Sequence, residues 1–467
     1  MSKSGKGIGL FGVIFFVIAS MVGFDGLSAT ASIGPSVFGW WLVIILLFLI
    51  PNLLMISELG SSFPSDGAVY DWARTALGPK QAARVGWYYW INVPFWIPAV
   101  YLIAAGILSE LVWPDMPVWI MCMVAIVLVW ATVLIANAST DLGSAVAVVG
   151  GIAKVGVLLA LIGGGLYHAI NYGSATTLNL ETMRPRFDAG FLYAPTLVYL
   201  IVGAETVACL GGALRNPGRN LPLGLLMALI LIIALYSFAI AGKMIAIPPE
   251  ELSLVGGITQ TFGVLFGTTG LGGTLSLLLS AVAVIALFAT IVPWMMASSR
   301  AAAEGAHDGE LPEVFGRTNA VGSPVGANVM TGLTATAALF IYGLVSNSAD
   351  DLFWNLFAFS SFLLFMTYFF LLASFIKLRL LRPDAPRPFK VPGGMVGAWI
   401  VVLSQGLVLT ISCVVFVFPG LSTGDVDLVE SAPILIGIMA AIGLVEFSIR
   451  GKTKPPAPTK IVSVEGA

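Results

Sequence analysis

Long apolar runs alternate along this chain with short connections rich in glycine, proline and charge. The runs fall at about 10–33, 38–60, 85–112, 117–137, 144–168 and 191–212, then at about 222–247, 272–300, 325–346, 353–379, 396–419 and 431–449. Each reaches the roughly 17–25 residues that a helix needs to cross the hydrocarbon of a bilayer. Lipid offers no partner to backbone N–H and C=O groups, so such runs are predicted to be helices that satisfy them internally. The expectation is an all-α polytopic membrane protein of twelve spans, with the fourth and twelfth the easiest to misplace.

The first run departs from this pattern at its centre. Gly23-Phe24-Asp25-Gly26 sets a carboxylate between two glycines. Glycine weakens a helix, and a carboxylate at bilayer depth is costly unless it faces a partner or a water-filled cavity. The sixth run repeats the arrangement, with Gly203 and Ala204 beside Glu205. Two interrupted segments five spans apart suggest two repeats of five helices, the second entering from the opposite side, which is a common plan of carriers. The resulting division is residues 10–168 and 191–379 as the two repeats and 396–449 as two added helices. Residues 1–9 form an N-terminal tail and 450–467 a polar, proline-rich tail expected to be disordered.

Composition agrees with membrane residence. The 467 residues are 58% hydrophobic and 10% charged, with mean hydropathy +0.97, whereas a soluble domain carries about 25% charged residues. The first run is too long, and followed by too many others, to read as a cleaved leader. Cys122, Cys209 and Cys413 lie in apolar runs without metal-ligand spacing. The net charge of −2 carries no information about partners, and there is no basic patch suited to nucleic acid.

Charge does set direction. Of the 22 Lys and Arg residues, 18 fall at the termini or in the even-numbered loops, from Lys3 and Lys6 through Arg74, Arg215, Arg300 and Arg387 to Lys460. Carboxylates such as Asp115, Glu181, Glu250, Asp350 and Asp425 dominate the other side. The positive-inside rule places both termini in the cytoplasm, and the plasma (inner) membrane of a bacterium is the expected location. Lys154, Arg184, Arg186 and Lys243 are the four exceptions.

Four stretches carry a resemblance. They are Glu58-Leu59-Gly60-Ser61-Ser62-Phe63-Pro64-Ser65-Asp66-Gly67-Ala68-Val69-Tyr70; Tyr199 to Glu205 followed by Arg215-Asn216-Pro217-Gly218-Arg219-Asn220-Leu221-Pro222; Arg300 to Asp308-Gly309-Glu310-Leu311-Pro312; and Pro383 to Gly394. In this order and over almost the whole chain they resemble the amino acid–polyamine–organocation superfamily of transporters, in its amino acid/amine permease branch. The resemblance implies two inverted five-helix repeats plus two peripheral helices, with substrate held between the unwound centres of the first and sixth spans. Amino-acid carriers of this group have Gly-Ser-Gly at the first break, where bare N–H groups take the substrate carboxylate. Gly23-Phe24-Asp25-Gly26 departs from that pattern and weakens the case for an α-carboxylate bound there.

The candidate substrate-binding residues are Gly23, Phe24, Asp25, Gly26, Tyr199, Gly203, Ala204 and Trp294. Asp25 is read either as an anchor for a substrate ammonium, as a structural partner of a protein cation, or as lining a water-filled vestibule. Trp294 lies fifteen residues before Gly309, the interval seen for the substrate-facing tryptophan of the arginine–agmatine exchanger branch, and its ring could cover a carbon stem or cationic head. A core or lipid-facing aromatic is the plainer alternative. Lys154, too deep in its span to snorkel, needs an acceptor. By resemblance it fills the cation site of sodium-coupled relatives and contacts carbonyls of the first and eighth spans. A purely electrostatic staple is the other reading. Glu205 is a candidate for proton coupling or an anchor of the broken helix.

On the basic side, Glu58 with Arg74, Arg84, Arg215 and Arg300 is expected to form a closing network, the cytoplasmic gate. Trp40, Trp41, Trp87, Trp90 and Trp399 read as interfacial anchors, and His168 and His307 as neither metal ligands nor catalytic bases. No nucleotide loop, nucleophile elbow or cofactor motif occurs, so neither an enzyme nor a cofactor is expected. The chain reads as a secondary transporter of amino acids, amines or polyamines that works by alternating access, with protons and lipid as its other partners. Proton symport without sodium and substrate exchange remain alternatives. A channel would favour continuous helices or a filter.

Overall fold

The computed structural model describes residues 8–65, 68–138, 140–207, 214–422, 424 and 428–449. The tail at 450–467, residues 1–7 of the N-terminal tail, Asp66 and Gly67 of the second-span motif, and Cys209 lie outside the described residues. The described chain is all-α and spans a membrane many times, with eleven helical segments long and apolar enough to cross it. The first expected span adds to these as two pieces, α1 (Leu10–Met21) and α2 (Leu27–Ala31), each too short to cross alone.

The second span begins as α3 (Val37–Ile44), widens into a π-helical turn at Ile45–Leu49, and continues as α4 (Ile50–Ser62). Pro51 accounts for the wide turn. Its ring excludes the carbonyl four residues earlier and it brings no N–H, so the helix opens by one residue rather than breaking. A short helix α5 (Val69–Leu77) precedes α6 (Pro79–Val112), which holds Pro94 and Pro98, and then α7 (Val118–Ala138) and α8 (Thr140–Tyr172). The sixth span opens with a 3-10 turn at Ala189–Tyr193 and the five-residue α9 (Pro195–Tyr199), and the α-helix then ends. There follow α10 (Pro217–Ala246), the short α11 (Gly257–Phe266), α12 (Gly270–His307) and α13 (Val325–Gly343). The chain closes with α14 (Ala349–Leu381), α15 (Gly394–Val417) and α16 (Leu428–Ile449).

The misplaced boundaries are not the anticipated ones. The fourth span sits one residue from its expected place, whereas the third starts at Pro79 rather than 85 and the eighth runs to His307 rather than 300. Those ends carry Lys80, Arg84, Arg300 and Glu304, which hydropathy rejects, yet a helix continues into water as readily as into lipid. Neither α5 nor α11 was expected, because nine or ten residues of mixed polarity give no span signal.

α6 packs on α14 and α12 packs on α8, while α6 and α12 also meet each other. α5 lies across α6 and α14, and α11 lies across α12 and α8. Three tryptophans read as interfacial anchors are instead core residues: Trp41, Trp87 and Trp90 are all buried. Trp87 and Trp90 meet Phe315 edge to face, and the Trp90 indole N–H donates to Thr331 Oγ1 at 3.1 Å. The helix ends at which they sit are covered by neighbouring segments, a fact that position along a span does not reveal. Trp399 is exposed on α15.

Candidate functional site

Between Met21 and Leu27 the helix of the first span is interrupted, and freed backbone groups find partners elsewhere. Tyr236, on α10, accepts a hydrogen bond from Gly23 N at 2.9 Å and donates its hydroxyl to Met21 O at 3.1 Å. A hydroxyl can do both at once, so one side chain bridges a donor and an acceptor that a helix would have paired. Thr30 Oγ1 donates to Gly26 O at 2.7 Å on the far side of the gap.

Asp25 stands in this gap and is 6% exposed. Its Oδ2 accepts the indole N–H of Trp96 at 2.9 Å. Oδ1 lies 2.6 Å from where a Cβ on residue 23 would stand, so a side chain there would strike the carboxylate. That gives Gly23 a second task beyond weakening the helix. Trp294, on α12, meets Trp96 edge to face with ring centroids 5.9 Å apart. The tryptophan singled out by its spacing thus joins the Asp25 cluster through a second tryptophan that sequence reasoning passed over. Trp96 did carry a signal, since it stands between Pro94 and Pro98 in a span that two prolines would bend.

Lys154, 5% exposed on α8, faces this cluster, and Asp25 is the carboxylate whose charge acts on it. The expected contacts to carbonyls of the first and eighth spans are not made. Among the described residues Lys154 Nζ donates no hydrogen bond, and its link to Asp25 is through space. Tyr199 also feels the Asp25 charge, while its ring meets Phe357 edge to face at 4.6 Å. Phe24 is buried in the core.

The break of the sixth span lies directly against the first. A Cβ on Gly26 would stand 3.1 Å from Leu200, and one on Gly203 3.4 Å from Met21. Gly203 has φ +110, a backbone conformation that a side chain would strain, and Ala204 is buried beside it. Here Tyr368, on α14, accepts from Gly203 N at 2.9 Å and donates to Glu205 Oε2 at 2.5 Å. Glu205 Oε2 also accepts from Gly203 N at 3.1 Å. The Glu205 carboxylate is thereby turned back onto its own broken helix.

At the Lys/Arg-rich side the expected network is wired differently. Glu58, 1% exposed near the end of α4, pairs with Arg379 and Arg387, not with Arg74, Arg84, Arg215 or Arg300. Arg379 grips both carboxylate oxygens, Arg387 Nε donates at 3.1 Å, and Val391 N donates at 2.7 Å. A carboxylate this deeply buried needs two-pronged guanidinium contact to offset its desolvation, and the end of α14 supplies it. Arg74 pairs with Asp308 at 3.1 Å, and Arg84 holds both oxygens of Glu446 at 2.7 and 2.8 Å. The side chains of Arg215 and Arg300 are exposed and make no ion pair among the described residues, though Arg215 N donates to Ile8 O. Beside Arg74, Tyr70 donates to Glu310. Burial raises the Glu310 carboxyl above its usual range, against the lowering effect of Tyr70 and Arg74.

Two interrupted helices meet here in the apolar interior. One buried acid bonds to an indole, the other is engaged with its own helix, and a second indole stands beside the first. Comparison with known proteins points the same way. Residues 8–442 match the amino acid permease family. The "Probable agmatine/putrescine antiporter AguD" of Lactococcus lactis is 30% identical over 97% of this chain and 96% of its own length. An uncharacterized transporter of Legionella pneumophila is 25% identical over 84% of this chain and 86% of its own. A polyamine transporter of Oryza sativa is 23% identical over 98% and 84%. The chain belongs to the amino acid permease family of the amino acid–polyamine–organocation superfamily and is a secondary transporter of amino acids or amines.

Proposed function

We propose that the chain carries organic amines, taking a substrate ammonium onto Asp25. The observation that carries this reading is the position of the Asp25 carboxylate, buried in the break of the first span with one oxygen on Trp96 and the other free of side-chain donors. An ionised carboxylate in that place favours a cation and repels a second carboxylate. Trp294, beside Trp96, supplies a ring to cover the carbon stem or cationic head. The relative named for agmatine and putrescine supports an amine in preference to an α-amino acid.

Transport proceeds by alternating access of two inverted five-helix repeats, 10–168 and 191–379. Support comes from the paired packing: α6 on α14 answers α12 on α8, and α5 on α6 and α14 answers α11 on α12 and α8. Each pair maps onto the other when the spans are advanced by five. Both termini lie in the cytoplasm of a bacterium, on the Lys/Arg bias, so the Glu58–Arg379–Arg387 cluster closes the inner side. Lys154 supplies the fixed positive charge that makes a sodium ion unnecessary, and Glu205 couples through Tyr368. Exchange of one amine for another is the second reading, favoured by the antiporter named among the relatives.

Liposomes reconstituted with the purified protein test both. Uptake of labelled agmatine and putrescine, and of amino acids, is measured with and without a pH gradient and with and without amine inside. Uptake only when amine is inside selects exchange, and uptake driven by the gradient alone selects proton symport. Saturable uptake of amino acids with none of amines would overturn the amine reading.

A further inference from the structure

Lys243 is completely buried in the last turn of α10, three residues before the helix ends at Ala246. Its Nζ donates to Gly257 O at 2.9 Å, and among the described residues no carboxylate pairs with it. Glu58 occupies the matching place at the opposite side, one turn before the end of α4. Both are the second span of their five-helix unit, and both are followed by a short helix, α5 or α11. The two differ in what holds them. Glu58 is met by two arginines, Lys243 by a single peptide carbonyl.

That carbonyl belongs to the first residue of α11, and the segment 253–257 leading into it touches nearly every element on its side. Asp350, at the start of α14, accepts from Ser253 Oγ, Leu254 N and Val255 N, each at 3.0 Å. A Cβ on Gly106 of α6 would stand 2.7 Å from Val255 C, and one on Gly256 would stand 2.8 Å from Glu110 Oε1. Most tellingly, a Cβ on Gly257 would lie 2.9 Å from Ser28 Oγ and 3.5 Å from Lys243 Nζ. Ser28 belongs to α2, the outer half of the first span, whose five residues are all buried. Residue 257 is therefore the point where α2, α10 and α11 converge, and a glycine lets them close.

We propose that Lys243 is the outer latch of the transporter, a positioning residue that seats the start of α11 on α2 and so keeps the substrate break covered from outside. The proposal rests on the alternating-access reading above. Opening outward parts α11 from α2 and takes the Gly257 carbonyl away from the Lys243 amine. A hydrogen bond in so dry a place, where no water replaces it, biases the closed arrangement strongly. Its loss should raise the outward-open population about 10-fold or more, provided that population is small to begin with.

The test replaces Cys122, Cys209 and Cys413 by serine, introduces Ser28→Cys, and measures its rate of reaction with a membrane-impermeant maleimide added outside. Leu180→Cys, at a position 88% exposed, serves as the reference in a parallel protein. Lys243→Met, which keeps length and removes the donor, should speed labelling at position 28 about 10-fold or more and leave position 180 unchanged. Gly257→Ala, whose Cβ would strike Leu252 Cδ2 and Ser28 Oγ and so press α11 away from α2, should act in the same direction and serves if Lys243→Met does not fold. Parental labelling rates in both variants would overturn the latch. Amine uptake by the parent in the same vesicles separates the two readings: uptake with unchanged labelling removes the latch alone, and no amine uptake with faster labelling removes the amine reading while the latch stands.

Discussion

At the break of the first span, Tyr236 places its hydroxyl between Gly23 N–H and Met21 C=O. At the break of the sixth, Tyr368 accepts from Gly203 N–H and gives its own proton to Glu205. Both interruptions therefore recover their backbone bonding from a tyrosine on another span. The acids beside them have different fates. Asp25 bonds outward to Trp96 and faces Lys154 through space. Glu205 bonds inward to its own helix and to Tyr368. Two similar sequence patterns thus yield an outward-bonded acid at one break and an inward-bonded acid at the other. What separates them is the neighbour: an indole and a distant ammonium at the first, a phenol within bonding distance at the second.

The largest expected effect sharpens this difference. Asp25→Asn keeps shape and removes the charge, so a charge-assisted bond worth roughly 1.5–3 kcal/mol is lost and amine affinity falls about 10- to 150-fold. The loss should be greatest for substrates without a carboxylate. Calorimetry on the purified variant measures it, and unchanged affinity would take Asp25 out of the substrate site.

Stability distinguishes the two tyrosines. Tyr368→Phe takes the hydroxyl donor from a buried carboxylate, leaving Gly203 N–H and Glu205 to each other, and should cost about 2–3 kcal/mol, whereas Tyr236→Phe removes the partner of two uncharged backbone groups and should cost about 1–2 kcal/mol. Thermal unfolding in detergent ranks them. The reverse order would mean that Glu205 does not depend on Tyr368.

Smaller still is the expected change in affinity for Glu205→Gln. If Glu205 serves the closure, substrate affinity stays within about threefold of the parent, equivalent to less than about 0.7 kcal/mol, while transport slows. An affinity loss equal to that of Asp25→Asn would make the two acids equivalents and break the comparison. The smallest effect concerns sodium. With Lys154 as the fixed cation near Asp25, replacing sodium by choline should leave uptake unaltered, and a steep saturable sodium dependence in proteoliposomes would count against Lys154 in that role.

Much of the architecture was legible because the bilayer imposes a simple rule. Apolar runs of sufficient length become helices, and Gly-Phe-Asp-Gly in such a run announces an exception. α5 and α11 were invisible, since each is too short to cross a bilayer and so leaves no span signal. Trp294 was singled out by its spacing and Trp96 was not, although Pro94 and Pro98 on either side of it mark a bend in a tryptophan-rich span. The arginines that hold Glu58 were misassigned. Five basic residues of the basic side stand between 377 and 390, and nothing in their order says that the second and fourth turn inward.

The sequence by itself determined the number and order of apolar segments and the two breaks with their acids. Each follows from a local cost: an unpaired peptide group or a bare charge in hydrocarbon is expensive wherever it occurs, and the chain must either avoid it or mark it. The tertiary structure alone decided which hydroxyl repairs each break, which donor meets each acid, and which guanidinium meets Glu58. Those outcomes depend on residues 71 or more positions apart being brought to about 3 Å, and hydrogen-bond energy falls away within a fraction of an ångström of that distance.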